Sequence, residues 1–532
     1  MAAASIIVRL IGILYRIPLI NIIGDKGMGY YSNAFVIYSI LLLLSSYSLP
    51  LAVSKMVSAK VARGQYKNSV RILRTALAFA TLVGGIGAAV TWFGANFFAN
   101  TFFPMPFCVY AIKTLAPTVW IMAYLGVFRG YFQGMGTMIP TAMSQILEQI
   151  INAVISVGAA YLLFDYGINS NLVYENTEYS YAFGAAGGTI GTGAGALAAL
   201  VFMLLLFAVY RVVLKKQLRR DRTRKLQSYS QIGYVLIMTV VPVILSSVIY
   251  NISSVIDSSI FGHCITSMGK NDEYTTLWGI YSGKYHLLTN VPIAIASALS
   301  SSLIPALTRA TESGSKGQVN DRVSTAIRFA MILAIPSAVG LTVLAGPITN
   351  LLFSGDNEIA IQMMYLGASA VVFFSLSTVT NAILQGTNHM RDPVRNAAIA
   401  LIIHCVLLVV MLVGLDLGIY GVVLANILFA VLMCVFNGVC INKYLEYRQE
   451  VKKTFLLPLL SSAIMGGAAY GVYTGLYMVF PHNTVCTLVS ILVAVAIYFV
   501  LLLKLRCVDE VELHGMPKGA MLVRVAHKLH LL

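Results

Sequence analysis

Charge is scarce in this chain. Only 11% of its 532 residues are Asp, Glu, Lys or Arg, against about 25% in an ordinary soluble domain. Hydrophobic residues make up 58%, and the mean hydropathy is +0.82. A water-soluble globule is excluded, and a polytopic membrane protein is the class that remains. The seven cysteines include no CxxC pair, so no disulfide or metal framework is visible. Most fall inside apolar runs, where a cysteine is a small buried hydrophobe. There is no GxxxxGK[ST] loop to cradle the phosphates of ATP, so any transport must use a gradient or run downhill. No cofactor is expected beyond a Na⁺ or H⁺ gradient or the membrane potential. No cleavable signal is expected either, because the first apolar run starts close to Met1 without a small-residue cleavage pattern.

Long apolar runs are what the chain has in quantity. Segments of about 18–25 residues, each able to cross a hydrocarbon core, fall near 6–23, 32–50, 75–97, 107–128, 140–163, 184–209, 232–258, 278–304, 327–352, 360–384, 396–414, 418–441, 455–479 and 485–503. The expectation is an all-α fold with fourteen transmembrane helices. The net charge of +16 is confined to alternate connections. Arg63, Lys67, Arg71 and Arg74 follow the second span, and "RVVLKKQLRRDRTRK" (211–225) follows the sixth. Lys443, Arg448, Lys452 and Lys453 follow the twelfth. The opposite connections hold few bases, and "DYGINSNLVYENTEYS" (165–180) holds none. The positive-inside rule then places the basic loops and both termini in the cytoplasm. The basic loops find their partner in the anionic inner leaflet, and nucleic acid is not expected. "GAMLVRVAHKLHLL", at the C-terminus, has the spacing of an amphipathic helix lying on that surface.

The chain also repeats itself. "RGYFQGMGTMIP" from Arg129 matches "NAILQGTNHMRDP" from Asn381, and "SLPLAVSKMVSAKVARGQ" (48–65) matches "SLIPALTRATESGSKGQ" (302–318). Both pairs share nearly one offset, into which six spans fit. Two six-helix lobes in the same orientation are implied, with a substrate site near the midplane between them. The expected partition is 1–226 for the first lobe and 227–450 for the second. Helices 13 and 14 follow at 451–504, and a cytoplasmic tail at 505–532.

Ionisable residues inside spans are costly and point to function. Arg9 and Arg16 lie seven apart in the first span, on one helix face. They either line a cavity, where guanidinium forks suit phosphate, or, for Arg9, snorkel to the interface. Glu148 lies within the fifth span and is a candidate partner for Arg129 or a neighbouring cation, in a structural or a functional pair. Asp257, among Ser and Asn residues, is a candidate ligand for Na⁺ or a proton, or an interfacial cap. Lys284 opens the eighth span and would add a third cation. His404 reads as a packed core histidine or a proton carrier. The small residues of 183–200 point to close helix packing.

"IGILYRIPLINIIGDKGMGYY", "LPLAVSKMVS", "RGYFQGMGTMIPTAMSQILEQI" and "MPKGAMLVRVAHKL" resemble the SpoVB/YtgP branch of the MurJ-type flippases. That group belongs to the multidrug/oligosaccharidyl-lipid/polysaccharide exporter superfamily, whose members include MATE-like transporters. The resemblance implies fourteen spans and transport of an undecaprenyl-pyrophosphate-linked glycan, lipid II, across the bacterial cytoplasmic membrane. It serves cell-wall or spore-cortex synthesis. It implies that the paired first-span arginines are Arg9 and Arg16, and that the sodium-ligating acid of span seven is Asp257. It also implies a lipid groove at spans thirteen and fourteen. The span-eight arginine of some members is absent, with Lys284 about a turn away. A non-enzymatic monomer is expected, in contact with membrane lipids and with cell-wall synthesis machinery. The alternatives are an exporter of another undecaprenyl-linked unit and a MATE-type multidrug antiporter, against which the span-one cations argue.

Overall fold

Hydrocarbon offers no water to satisfy a backbone, so a spanning segment must close its own hydrogen bonds. The chain obeys: among the described residues, helix is the only regular secondary structure. The computed structural model describes residues 2–43, 49–223, 226–312, 315–505 and 507; side chains at 2–6, 242–251, 271–272, 299, 301–303 and 305–306 are outside the description. The expected surface helix at the C-terminus falls outside the described residues.

Two units hold together by their own contacts, Met1–Gly283 and Lys284–Leu532. The first contains α1 (Ala2–Leu14), α2 (Arg16–Leu42), α3 (Leu49–Val61), α4 (Tyr66–Phe93), α5 (Ala95–Phe97), α6 (Val109–Gly134), α7 (Ile139–Val173), α8 (Glu178–Arg220), α9 (Tyr229–Asn251), α10 (Ser253–Ser267) and α11 (Asn271–Ile280). The second contains α12 (His286–Glu312), α13 (Lys316–Val343), α14 (Ala345–Leu352), α15 (Glu358–Gly367), α16 (Ala370–Gly386), α17 (Arg391–Val409), α18 (Gly418–Leu445), α19 (Leu457–Val479) and α20 (Asn483–Lys504). Helices α9–α11 pack within the first unit, α11 along α2 and α9 against α3 and α4.

Among the described residues, ten helices are long and apolar enough to cross a membrane, or eleven with α15–α16 taken as one span bent by 51°. Fourteen were expected, and the difference has local causes. The first two expected spans are one helical run, Ile7–Leu42. Its 36 residues would reach about 54 Å at 1.5 Å each, beyond a single crossing. Gly24, with φ 68°, interrupts the run beside Asp25 and Lys26; a positive φ comes without steric cost only to glycine. The expected spans 232–258 and 278–304 lie partly outside the described side chains.

The sequence repeat has a packing explanation. Its first copy closes α6 at Gly134, and its second closes α16 at Gly386. A Cβ on Gly134 would come within 2.6 Å of Val57 on α3, and one on Gly386 within 3.0 Å of Leu307 on α12. The partners α3 and α12 carry the other matched pair of segments. Each unit thus uses the same small-residue crossing to bring two repeated segments together. Around the first lies a core of α3, α4, α6 and α9 side chains, including Val53, Ile72, Tyr131 and Leu236. Around the second lies one of α12, α13, α16 and α18, including Leu307, Met331 and Leu384.

The long pair α7–α8 packs more closely than side chains normally permit. Gly187 faces the backbone of Ala159 and Ala160, and Gly191 faces Ser156. These glycines come from the stretch whose small residues pointed to close packing. Helices α19 and α20, outside the repeat, pack on α13 and α14 through Met465, Ala469 and Tyr498, whose hydroxyl donates to the Ile332 carbonyl at 2.8 Å.

Candidate functional site

Helix α7 begins with Pro140 in its first turn, a position that needs no backbone donor. Thr141, Ser144, Gln145, Glu148 and Gln149 then recur every three or four residues, so one face of the helix is polar. That face meets the end of α6. Arg129, buried one turn before the repeat glycine, donates from Nε to Ser144 Oγ at 2.9 Å and from Nη2 to Glu148 Oε2 at 2.7 Å. The Glu148 side chain is 15% exposed. The ion pair forms part of the wall of a cavity of about 350 Å³, together with Gln133, Thr141, Gln145 and Gln149. Val8 of α1, Met122 and Gly126 of α6, and Pro50 of α3 supply apolar wall. An apolar chamber with a few convergent amides and one fixed ion pair is suited to a polar ligand rich in hydroxyls.

The first-span arginines stand beside this wall without forming it. Arg9 is exposed and adjoins Val8. Arg16 is half-buried at the start of α2, with its guanidinium 6.0 Å from the centre of the Phe35 ring. The hydroxyls of Tyr15 and Tyr31, 2.9 Å apart, lie within hydrogen-bonding reach of it. Its Nε is buried and makes no hydrogen bond. Among the described residues no acid is paired with Arg16. Arg129 is a neutralised cation, whereas Arg16 is one still short of an anion.

Asp257 lies elsewhere. It is buried on α10, next to Ser258, whose Oγ donates to Asn33 Oδ1 at 2.6 Å and lies 3.0 Å from the Tyr274 hydroxyl. These hard oxygens suit Na⁺ in kind, but those of Ser258 and Asn33 are bonded to each other, leaving the carboxylate as the one charged donor. Among the described residues no three His, Cys, Asp or Glu side chains cluster for a metal. Lys284 opens the second unit in a widened π-type turn, Tyr281–Tyr285. It is buried and donates to the Asp356 carbonyl at 3.3 Å. His404 is buried, its Nδ1 3.0 Å from the Ala425 carbonyl and its ring against Phe429, the setting of a packed core histidine.

The structure therefore joins Arg129 and Glu148, and holds Arg9 and Arg16 on the helices alongside. The amides at 133, 145 and 149 were not singled out from sequence, although the polar period in "TAMSQILEQ" (141–149) carries the last two. In the second unit the positions 252 residues after Arg129 and Ser144 are Asn381 and Asn396. They form a neutral network instead: Asn437 donates to Asn381 Oδ1 at 2.7 Å and accepts from Asn396 at 3.0 Å.

A family model described as "Polysaccharide biosynthesis protein" matches residues 1–311. The chain belongs to the polysaccharide biosynthesis protein family. Within or near that family, it is 26% identical to stage V sporulation protein B of Bacillus subtilis (strain 168), over 98% of this chain and 97% of the relative. It is 25% identical to the lipid II flippase MurJ of the same organism, over 86% and 84%. The fold matches lipid II flippase MurJ in an inward closed conformation, with a TM-score of 0.65 at 15% identity, over 94% of this chain and 97% of that one. It also matches an inward-facing MATE family transporter of the MOP superfamily, with a TM-score of 0.63 at 14% identity, over 82% and 95%. The MATE-like helical architecture expected from the sequence is the one found. The family member described here is a multi-pass membrane protein.

Proposed function

We propose that this chain is a flippase for lipid-linked glycan precursors, and that its substrate is lipid II. The observation that carries the reading is Arg16: a half-buried guanidinium with a buried, unbonded Nε and, among the described residues, no acid partner. An intramembrane cation is costly unless something anionic completes it, and the fork of a guanidinium fits phosphate oxygens. Relatives named as a lipid II flippase and a sporulation protein, matched over most of their length, support the same substrate class. No bond is made or broken, and the chain is a transporter rather than an enzyme.

In the cycle, Arg16, with Arg9 toward the basic end of the helix, neutralises the pyrophosphate. The amides of Gln133, Gln145 and Gln149 offer donors and acceptors to sugar hydroxyls beside the Arg129–Glu148 pair. The polyprenyl tail stays in lipid along α19 and α20. Two six-helix lobes alternate access, and Asp257 is the position through which a cation or proton gradient acts. The protein sits as a monomer in the bacterial cytoplasmic membrane, with both termini inside and the cell-wall synthesis machinery as its neighbour.

The test uses cells depleted of their own lipid II flippase and supplied with this chain, scored by lipid II accessible at the outer face. Restored access that is lost with Arg16→Ala, and only partly kept with Arg16→Lys, is the expected result. No restoration despite good membrane expression would transfer the assignment to another undecaprenyl-linked glycan. Full transport by Arg16→Ala would remove the arginine from the site.

A further inference from the structure

A second recess lies in the first unit, at the basic ends of its helices. It encloses about 450 Å³ and is lined by Val61, Tyr66, Phe132, Val209, Tyr210 and Val213, with Gln217 at its rim. That volume is in the range of small-molecule sites. Its wall on α8 is a stripe: Leu206, Val209, Tyr210, Val213 and Gln217 recur every three or four residues. Val209 is 73% exposed and Val213 48% exposed, whereas Leu206 and Tyr210 are half-buried against the core beside Phe132. Tyr210 donates to Gln217 Oε1 at 2.8 Å, which fixes the polar end of the recess.

Charge follows the stripe in one direction only. Lys216 and Arg220 lie three residues past Val213 and Gln217, on the flank of the same face, and both are exposed. Arg63, also exposed, follows the lining Val61 by two residues. Tyr66 and Tyr210 supply the amphipathic rings found at a membrane–water boundary. An apolar slot that ends in tyrosines and a glutamine, with three exposed cations close in sequence to its lining residues, has the polarity of a phospholipid with a negative headgroup.

We propose that this groove binds an anionic phospholipid of the leaflet at the basic end of the helices. One acyl chain lies along the α8 stripe, and the phosphate is met by Lys216, Arg220 and Arg63. Charge complementarity selects the occupant, since a zwitterionic lipid would bring an ammonium group against three cations. The site is separate from the Arg129–Glu148 cavity, shares no lining residue with it, and does not depend on which substrate the protein moves.

The test is native mass spectrometry of the full-length protein, titrated with phosphatidylglycerol or phosphatidylcholine of equal chain length. Three cations near the headgroup should favour phosphatidylglycerol on the order of a hundredfold. Lys216→Gln/Arg220→Gln should cut this preference to about fivefold, the share left to Arg63. Val213→Trp, at an exposed position, should fill the slot and lower the retention of both. Equal binding of the two lipids by the parent, or an unchanged preference in the double variant, would overturn the proposal. So would full displacement of phosphatidylglycerol by soluble glycerol 3-phosphate, which would mark a phosphate site without a lipid groove.

Discussion

The Arg129–Glu148 pair is the most exacting place to perturb this structure. Its N–O distance is 2.7 Å, with side chains 9% and 15% exposed. At an effective dielectric of about 20, two unit charges at that separation attract by about 6 kcal/mol. Desolvation offsets much of this while the pair is intact, but removing one partner strands the other. The expected cost of a single removal is about 3–5 kcal/mol. The two removals should not be equal. Glu148→Ala leaves a guanidinium that cannot shed its charge, still donating to Ser144 Oγ. Arg129→Ala leaves a carboxyl that can discharge by taking up a proton. Glu148→Ala should therefore be the more damaging. The double variant should be less unstable than the sum of the singles, by about 1.5–3 kcal/mol. The assay is reversible unfolding in mixed micelles, run as a double-mutant cycle with Ser144→Ala as a neighbour control. Additivity within about 0.5 kcal/mol, or a costlier Arg129→Ala, would refute the reasoning.

Further predictions test the packing and the loop. Gly191→Ala should cost about 1–3 kcal/mol, because the added carbon overlaps Ser156 on α7. Gly158→Ala, with open space around the new carbon, should be neutral or slightly stabilising, and thermal unfolding of both variants checks the contrast. Asp221 follows α8, where its carboxylate accepts from the Lys67 and Thr223 backbone N–H groups at 2.6 and 2.7 Å. Burial pushes this carboxyl up, but the Thr223 and Lys67 hydrogen bonds and the Lys67 charge outweigh it and hold it below its ordinary value. A depressed carboxyl stabilises the fold above its unfolded-state value of about 4 and loses that contribution as pH falls through the folded value. Asp221→Asn should thus cost about 1 kcal/mol at pH 7 and nothing in acid. Hydrogen exchange of residues 221–223 at the two pH values would decide it, with an equal difference at both refuting the assignment.

Much of the architecture was legible because a bilayer imposes few solutions. Composition excluded a soluble protein, and the period of apolar runs announced helices. The repeat located the crossings at Gly134 and Gly386. The number of spans was less legible, because hydropathy averages over a window and does not register a break. The bend between α15 and α16 lies inside one expected span and Ile252, which separates α9 from α10, inside another, whereas Gly24 falls between the first two expected spans. The Arg129–Glu148 pair could be anticipated, since an acid and a base inside adjacent spans need each other. The amide wall around it could not be weighted, because Gln on a membrane helix carries no charge to mark it. The condition of Arg16 was also beyond sequence: it depends on Tyr15, Tyr31 and Phe35 standing where an acid might have stood.

The neutral network of Asn381, Asn396 and Asn437 has a consequence for how a doubled chain diverges. What the two halves share is the glycine at one matched helix crossing, Gly134 in one and Gly386 in the other, where no side chain has room. What they have not retained is the polar chemistry immediately around it, an ion pair in one half and amides in the other. Duplication here preserved the joints and released the surfaces between them. A doubled chain can then become a one-sided tool, with a salt link between two helices beside the joint in one half and amides at the matching positions 381 and 396 in the other.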